Sequence, residues 1–204
     1  MLTGIQWMAS AMLSAKAKLE IATDNLANAS TDGFHKHLAR TVASRRGLTT
    51  VAVASPEKGP ARFTGRTLDL ALIGAGSFFV APDRNPQLRV ATRAGAFTSD
   101  CDGYLVDAHG RTLLGKNGFV RLPPGAPAIE ADGTWRASGR AVAQLTLPRG
   151  TTVRSGFLES SNVNSIGEMI GVIDAQRAFE TAQKTLSAVD EARQRAANDM
   201  GRIK

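Results

Sequence analysis

The feature that most limits what this chain can fold into is a pair of apolar stripes, one at each end. Ile5, Met8, Met12, Ala15, Leu19, Ala22 and Leu26 follow one another at alternating spacings of three and four residues. Val172, Ala175, Phe179, Ala182, Leu186, Val189, Arg193, Ala196 and Met200 repeat the pattern, broken only by Arg193. That register puts each set on one helical face, and its persistence over several heptads is the mark of helices that pair. The spacing predicts a helix from about Thr3 to about Asn28, roughly 39 Å long, and a second of roughly 50 Å at the far end. Ser165 followed by Glu168 reads as a capping box that starts the second helix. Glu180 with Lys184, and Glu191 with Arg195, are favourable i,i+4 pairs on its outer faces. Two such helices can pair as a coiled coil, with the intervening chain held on the loop between them. The stripes are rich in alanine and bury little area, at about 25 cal/mol per Å². The helices are therefore expected to be marginal in an isolated monomer and to gain stability from neighbouring subunits.

Between the helices the period changes from helical to alternating. "LDLALIGAGSFFVA" places two apolar runs around Gly74-Ala75-Gly76, and "TSDCDGYLVDAHGRTLL" sets Asp102-Gly103 and His109-Gly110 between short apolar runs. "AIEADGTWRA" is built on Asp132-Gly133. Asx-Gly between alternating apolar residues is the strongest local hairpin signal. The fold expected is α+β: long N- and C-terminal helices pairing as a coiled coil, with a central all-β domain of short hairpins. The boundaries read as 1–30 for the first helix, 31–62 for a basic connecting arm, 63–158 for the β domain and 159–204 for the second helix, packed on 1–30. Within the arm, Thr49 to Ala54 is strand-like, ahead of Pro56 and Pro60.

Charge is concentrated in that arm. The chain carries a formal +7, and Lys36, Arg40, Arg45, Arg46, Lys58, Arg62 and Arg66 face only Glu57 between Gly33 and Arg66. A local basic arm suggests docking on an acidic neighbour, a phosphate or an anionic surface. Nucleic-acid binding is the remote alternative. It predicts steep salt dependence, but only Phe34 and Phe63 are available in that window for stacking. The single cysteine, Cys101, excludes an internal disulfide framework. No apolar run approaches the roughly 18–20 residues that span a bilayer. The first residues lack the basic start of a secretory signal, and Lys16 and Lys18 interrupt the apolar stretch.

Catalytic and cofactor patterns fail on inspection. Asp100-Cys101-Asp102-Gly103 resembles the start of a calcium loop, but Arg111 stands where the bidentate glutamate belongs. A turn is the better reading. Cys101 lies between two aspartates with no cationic neighbour in sequence, which disfavours a nucleophile. His35 and His37 have no further ligand cluster. Gly74-x-Gly76 lacks both the third glycine and the following helix of a nucleotide loop. No enzyme, cofactor, metal or small-molecule substrate is expected.

Four motifs, in order along the chain, resemble one family. "NLANASTDGF" (Asn25 to Phe34) is similar to the N-terminal signature of the bacterial flagellar rod and hook proteins, and "LESSNVNSIGEMIGVIDAQRAFETAQK" to their C-terminal signature. "RTLDLALIGAGSFFV" and "TRAGAFTSDCDGYLVDAHGRTLLG" resemble the β-domain motifs of the same family. The ending "LSAVDEARQRAANDM" most resembles the proximal-rod branch, with distal-rod and hook-type axial subunits as the alternatives. The resemblance implies a non-enzymatic axial subunit. It would be exported by the flagellar type III apparatus without signal cleavage, and would then stack with copies of itself and other rod subunits in the periplasmic part of the basal body, inside its rings. The chain departs from the family pattern where "LTLPRGTTVRSGFLESSN" joins the β motifs directly to the C-terminal signature, which implies a trimmed outer β domain.

The resemblance also implies which residues form the subunit joint. Asn25, Leu26, Asn28, Thr31, Gly33 and Phe34 are expected there from the first signature. Asn162, Asn164, Gln176, Arg177, Phe179 and Glu180 are expected from the second. The amides and hydroxyls can satisfy helix-end backbone groups and reach an adjoining subunit, since each unpaired buried group costs about 1–3 kcal/mol. Gly33 would allow a positive φ at the helix exit, and Phe34 would anchor the chain on apolar surface. Gly167 and Gly171 read as close-packing positions on the second helix.

Overall fold

A computed structural model describes residues 4–45, 47–125 and 128–201, apart from the side chains of residues 197 and 199–201. Thr3, Arg46 and the Met200 side chain lie outside the described residues. The chain divides into two compact units, one of residues 1–29, 36–56 and 163–204 and one of residues 30–35 and 57–162.

The first unit holds both long helices, α1 (Gly4–Ala27) and α2 (Ser165–Gly201), and a hairpin of β1 (His37–Ser44) and β2 (Gly47–Ala54). The helices are antiparallel. Asn25 bonds to Glu168, Ala22 lies opposite Gly171, and Met8 and Ala11 share a groove with Thr181 and Thr185. Each step forward on α1 is thus matched by a step back on α2. The predicted stripe residues are among the more buried ones on α1: Ile5, Met8, Met12, Leu19 and Leu26 are half-buried, and Ala15 and Ala22 are buried. On α2, Ala175 is buried and Val172, Phe179, Ala182, Leu186 and Val189 are half-buried, whereas Arg193 and Ala196 are exposed. A Cβ at Gly171 would meet the Ala22 methyl at 3.9 Å, ordinary van der Waals contact, so small residues set the helix separation there.

Two local readings are corrected. The cap of α2 is Asn164, whose side-chain oxygen accepts the N–H groups of Ile166 at 3.1 Å and Gly167 at 3.2 Å. Ser165 is therefore the first helical residue. Asparagine caps as well as serine, and Glu168 is drawn elsewhere by a lysine. The second correction lengthens the strand-like run from Thr49 to Ala54 into a full hairpin, paired from His37↔Ala54 to Ser44↔Gly47. Its turn lacks an Asx-Gly signal; Gly47, at φ 109°, supplies the left-handed conformation instead.

The second unit is mainly β, with two single-turn 3-10 helices at Pro82–Arg84 and Pro86–Leu88. Strands β5 (Phe78–Ala81), β6 (Val90–Thr92), β7 (Thr98–Ser99), β8 (Leu105–Val106), β9 (Thr112–Gly115) and β10 (Gly118–Phe119) form one antiparallel sheet in the order β6-β5-β9-β8-β7, with β10 on β9. A three-stranded sheet joins β11 (Ala128–Ile129), β12 (Thr134–Ala137) and β13 (Arg140–Gln144). Two ribbons pair β4 (Leu70–Ile73) with β14 (Thr152–Ser155) and β3 (Ala61–Phe63) with β15 (Phe157–Glu159). The alternating apolar residues meet in one core around Leu70, Phe78, Phe97, Leu105, Leu113 and Trp135. Phe78 and Phe97 sit edge to face at 5.4 Å.

The predicted turns form for the expected reason. Asp132 accepts the Thr134 N–H at 2.8 Å and its hydroxyl at 3.0 Å, and these donors hold its carboxyl below the usual carboxylate range. Asp100 accepts the N–H groups of Tyr104 and Asp102, and Gly103 turns at φ 85°. Partial desolvation pushes the Asp100 carboxyl up, but those donors and the Arg84 guanidinium outweigh it and bring it down. Among the described residues no helix is long and apolar enough to cross a membrane.

Candidate assembly interface

The two terminal signatures, more than a hundred residues apart, meet twice. In the helical unit Asn25 is 1 % exposed and bonded on both sides of its amide. Its Nδ2 donates to the His37 carbonyl at 2.8 Å and to Glu168 Oε2 at 3.0 Å, and its Oδ1 accepts the His37 N–H at 2.7 Å. Glu168 Oε1 pairs with Lys36 Nζ at 2.6 Å. The carboxylate and amide are buried, and an amide that both donates and accepts can cross-link a helix, a strand and a second helix without leaving an unpaired group. The N-terminal signature therefore begins, in the last turn of α1, with a residue whose side-chain bonds lie within its own unit.

In the β unit the same two signatures converge on Glu159, which is also buried. Arg93 Nε donates to Glu159 Oε2 at 2.7 Å, and the remaining guanidinium nitrogens reach the carbonyls of Leu72, Gly74 and Gly76. His35 Nε2 lies 3.0 Å from Glu159 Oε1, and the Gly59 N–H donates to the same oxygen at 3.3 Å. A buried carboxylate is tolerable only with such a full set of donors. Gly33 donates its N–H to the Glu159 carbonyl at 2.6 Å and has φ 72°. A Cβ there would stand 2.2 Å from the Ala94 nitrogen, so only glycine fits.

The structure positions the other residues expected at the joint as follows. Asn28 closes α1, donating its side-chain amide to the Asp24 carbonyl at 2.9 Å. Thr31 is exposed, and its carbonyl accepts the Phe34 N–H at 3.2 Å. Leu26 and Phe34 are half-buried. Asn162 donates to the Glu57 carbonyl at 2.8 Å, and Asn164 is the α2 cap. Gln176, Arg177 and Glu180 are exposed, with Gln176 donating to Glu180 at 3.1 Å, while Phe179 belongs to the half-buried stripe.

Sequence reasoning missed Ser10 and Ser14, the buried polar face of α1 that meets the hairpin. Ser10 Oγ accepts the Leu48 N–H at 3.1 Å, and Ser14 Oγ lies 2.7 Å from Thr50 Oγ1. Their four-residue spacing, continued to the buried Asn25, was a second helical face visible in the sequence. It also missed Lys36, Arg93, Glu159 and Glu168 as partners, because their pairings span distances that no local pattern reveals. The basic window is partly neutralised: Lys36 pairs with Glu168, Arg62 with Asp32 at 3.1 Å and Arg66 with Asp69 at 3.5 Å. Arg40 and Arg45 lie on the exposed hairpin.

Asn25, Gly33, Glu159 and Glu168 lie in segments matched by known families. Residues 5–35 match the family described as flagella basal body rod protein, and residues 154–200 match the flagellar basal body rod FlgEFG protein C-terminal family. The chain is 30 % identical to the flagellar basal-body rod protein FlgF of Mesorhizobium japonicum, covering 90 % of this chain and 93 % of the relative. It is 29 % identical to FlgF of Escherichia coli K12, over 84 % and 87 % of the two chains. It is 27 % identical to the basal-body rod protein FlgG of Bacillus subtilis, over 93 % and 96 %. The alignment to the first relative spans 227 positions, more than the 204 residues of this chain, so that relative has residues without counterparts here. With similarity of this extent along nearly its whole length, the chain belongs to the flagellar basal-body rod protein family, on its proximal-rod side.

Proposed function

We propose that this chain is a structural subunit of the flagellar rod, polymerising through its terminal helices to build the shaft between motor and hook. One observation carries the reading. The N- and C-terminal signatures fold onto each other through Asn25 and Glu168, so both chain ends enter one antiparallel helical unit that can be repeated along an axis. In the assembled shaft the heptad-spaced stripes would complete their pairing as a coiled coil with neighbouring subunits. The partners are copies of this chain and other rod subunits, with basal-body rings around them and the type III apparatus as the export route, without a cleaved signal. The role is mechanical rather than catalytic, and the place of work is the periplasmic rod.

The test is a chromosomal deletion complemented with an epitope-tagged chain. The rod reading predicts loss of motility on deletion, and tag recovered in purified basal bodies after hook and filament are removed. Immunogold label at the cell-proximal end of the rod is expected. Label at the far end would transfer the chain to the distal-rod alternative, label beyond the rod to the hook, and motile deletion cells without tag in basal bodies would end the proposal.

A further inference from the structure

Among the described residues of the helical unit, the hairpin and the start of α2 each present an exposed apolar face, and the two differ in charge. On the hairpin, register places Leu38 opposite Val53, Arg40 opposite Val51 and Val42 opposite Thr49. Cross-strand partners share a face of the sheet. The opposite face carries Thr41 and Thr50, bonded to each other at 2.9 Å, and Thr50 reaches α1 through Ser14. Leu38, Val42, Val51 and Val53 therefore point outward, and each is 43 % exposed or more. Among the described residues of the hairpin there is no acid, and its arginines are Arg40 at the centre of that face and Arg45 at the tip.

The second face lies on the first turns of α2. Ile166, Met169, Ile170 and Ile173 recur at three, four and seven residues, on the side opposite Val172 and Ala175, and all are more than half exposed. A helix apolar on both sides is one that a second surface covers. Asp174 flanks this face, and Arg177 and Glu180 follow it, with Glu180 also held by Gln176. The lengths agree. Five strand residues from Leu38 to Val42 cover roughly 13 Å and residues 166–173 of the helix roughly 11 Å.

We propose that the outward hairpin face of one copy seats on the 166–173 face of α2 of the next copy. Pairing two hairpins face to face would bring arginine against arginine, which disfavours the symmetric dimer. Setting the hairpin on the helix instead brings Arg40 toward Asp174 and Glu180, two acids against the single Arg177 on that side of α2. The two faces are different surfaces of one unit, so the contact is head-to-tail. Such contacts propagate into an open helical array unless a rotation closes them. The inference rests on the rod-subunit reading and names the surfaces by which it would operate.

The experiment uses the full purified chain in sedimentation velocity, over a rising concentration series, with Val51→Glu and Ile170→Glu. Both positions are exposed, and circular dichroism checks that each variant keeps its helix content. The wild type is expected to form a ladder of species, and each variant to associate at least about tenfold more weakly, because a carboxylate is driven into an apolar contact. Mixing the two variants is the decisive arm. One retains a sound helix face and the other a sound hairpin, so the mixture forms one-to-one dimers and nothing longer. A mixture as monomeric as its parents, variants that associate like the wild type, or a wild type that never associates overturns the proposal. As a second measurement, Val42→Cys and Ile170→Cys in separately tagged Cys101→Ser chains should cross-link to each other. Cross-links only between like variants overturn it as well. Tag absent from basal bodies beside an intact ladder would sink the rod reading alone. Tag present in basal bodies with no cross-link would sink the head-to-tail contact alone.

Discussion

At the scale of single residues, Gly33 and Gly110 separate conformation from space. Their φ values, 72° and 74°, are nearly the same. A Cβ at Gly110 would meet nothing within 4 Å, whereas at Gly33 it would lie 2.2 Å from the backbone of Ala94. Gly110→Ala should therefore cost only the left-handed penalty, about 1–2 kcal/mol. Gly33→Ala must in addition push one backbone off another and strain the bond to the Glu159 carbonyl, so more than about 3 kcal/mol is expected. Urea unfolding, followed through Trp135 in a Trp7→Phe background, measures both. Equal costs would mean that the close approach at Gly33 does not hold in solution. The need for glycine at position 33 was legible from the helix exit. Its cause, a neighbour sixty residues further on, was not.

At the scale of elements, the two stripes were the most legible part of the chain because helix periodicity is a local property. Every predicted stripe residue from Ile5 to Leu26, and from Val172 to Val189, is at least half-buried. The hairpin was half legible, since Thr49 to Ala54 is rich in β-branched residues while the first strand has few and its turn has no Asx-Gly. The two carboxylate clusters were illegible, because a glutamate in a sequence does not show which arginine or lysine it will meet. The stripe stops at Val189 for a reason also found in the fold. The α1 helix has 24 residues and α2 has 37, so in antiparallel register α1 runs out there. Residues 190–196 are exposed on every side. That last stretch rests on helix propensity and on surface pairs such as Glu191–Arg195, worth only about 0.3–0.5 kcal/mol each. A chain ending at Val189 should consequently keep the melting behaviour of the isolated protein within about 0.5 kcal/mol, since surface changes rarely exceed that. A larger loss would show that the overhang is packed in the free subunit.

At the scale of the whole molecule, the chain crosses between its two units repeatedly, because residues 30–35 belong with 57–162 while the segments on either side of them do not. Each unit nevertheless has its own means of cohesion. The β unit has a closed apolar core centred on Trp135, which is 1 % exposed. The helical unit has an alanine-rich helix contact and a small polar centre, and α1, α2 and the hairpin all lean on Asn25. Replacing Asn25 with alanine strips partners from the His37 N–H, the His37 carbonyl and Glu168 together. Buried groups left this way cost about 1–3 kcal/mol each before relaxation, so a loss of roughly 2–4 kcal/mol is expected in the helical unit. The β core shares none of these partners, and its stability should change by less than about 0.5 kcal/mol. Far-ultraviolet circular dichroism at 222 nm follows the helices, and Trp135 fluorescence in the Trp7→Phe background follows the β core. The two unfolding curves should come apart in Asn25→Ala, with the helical one moving to lower denaturant. If both moved together by the same free energy, the units would fold as one cooperative body, and the terminal signatures would be stabilising the whole chain rather than only the helical unit.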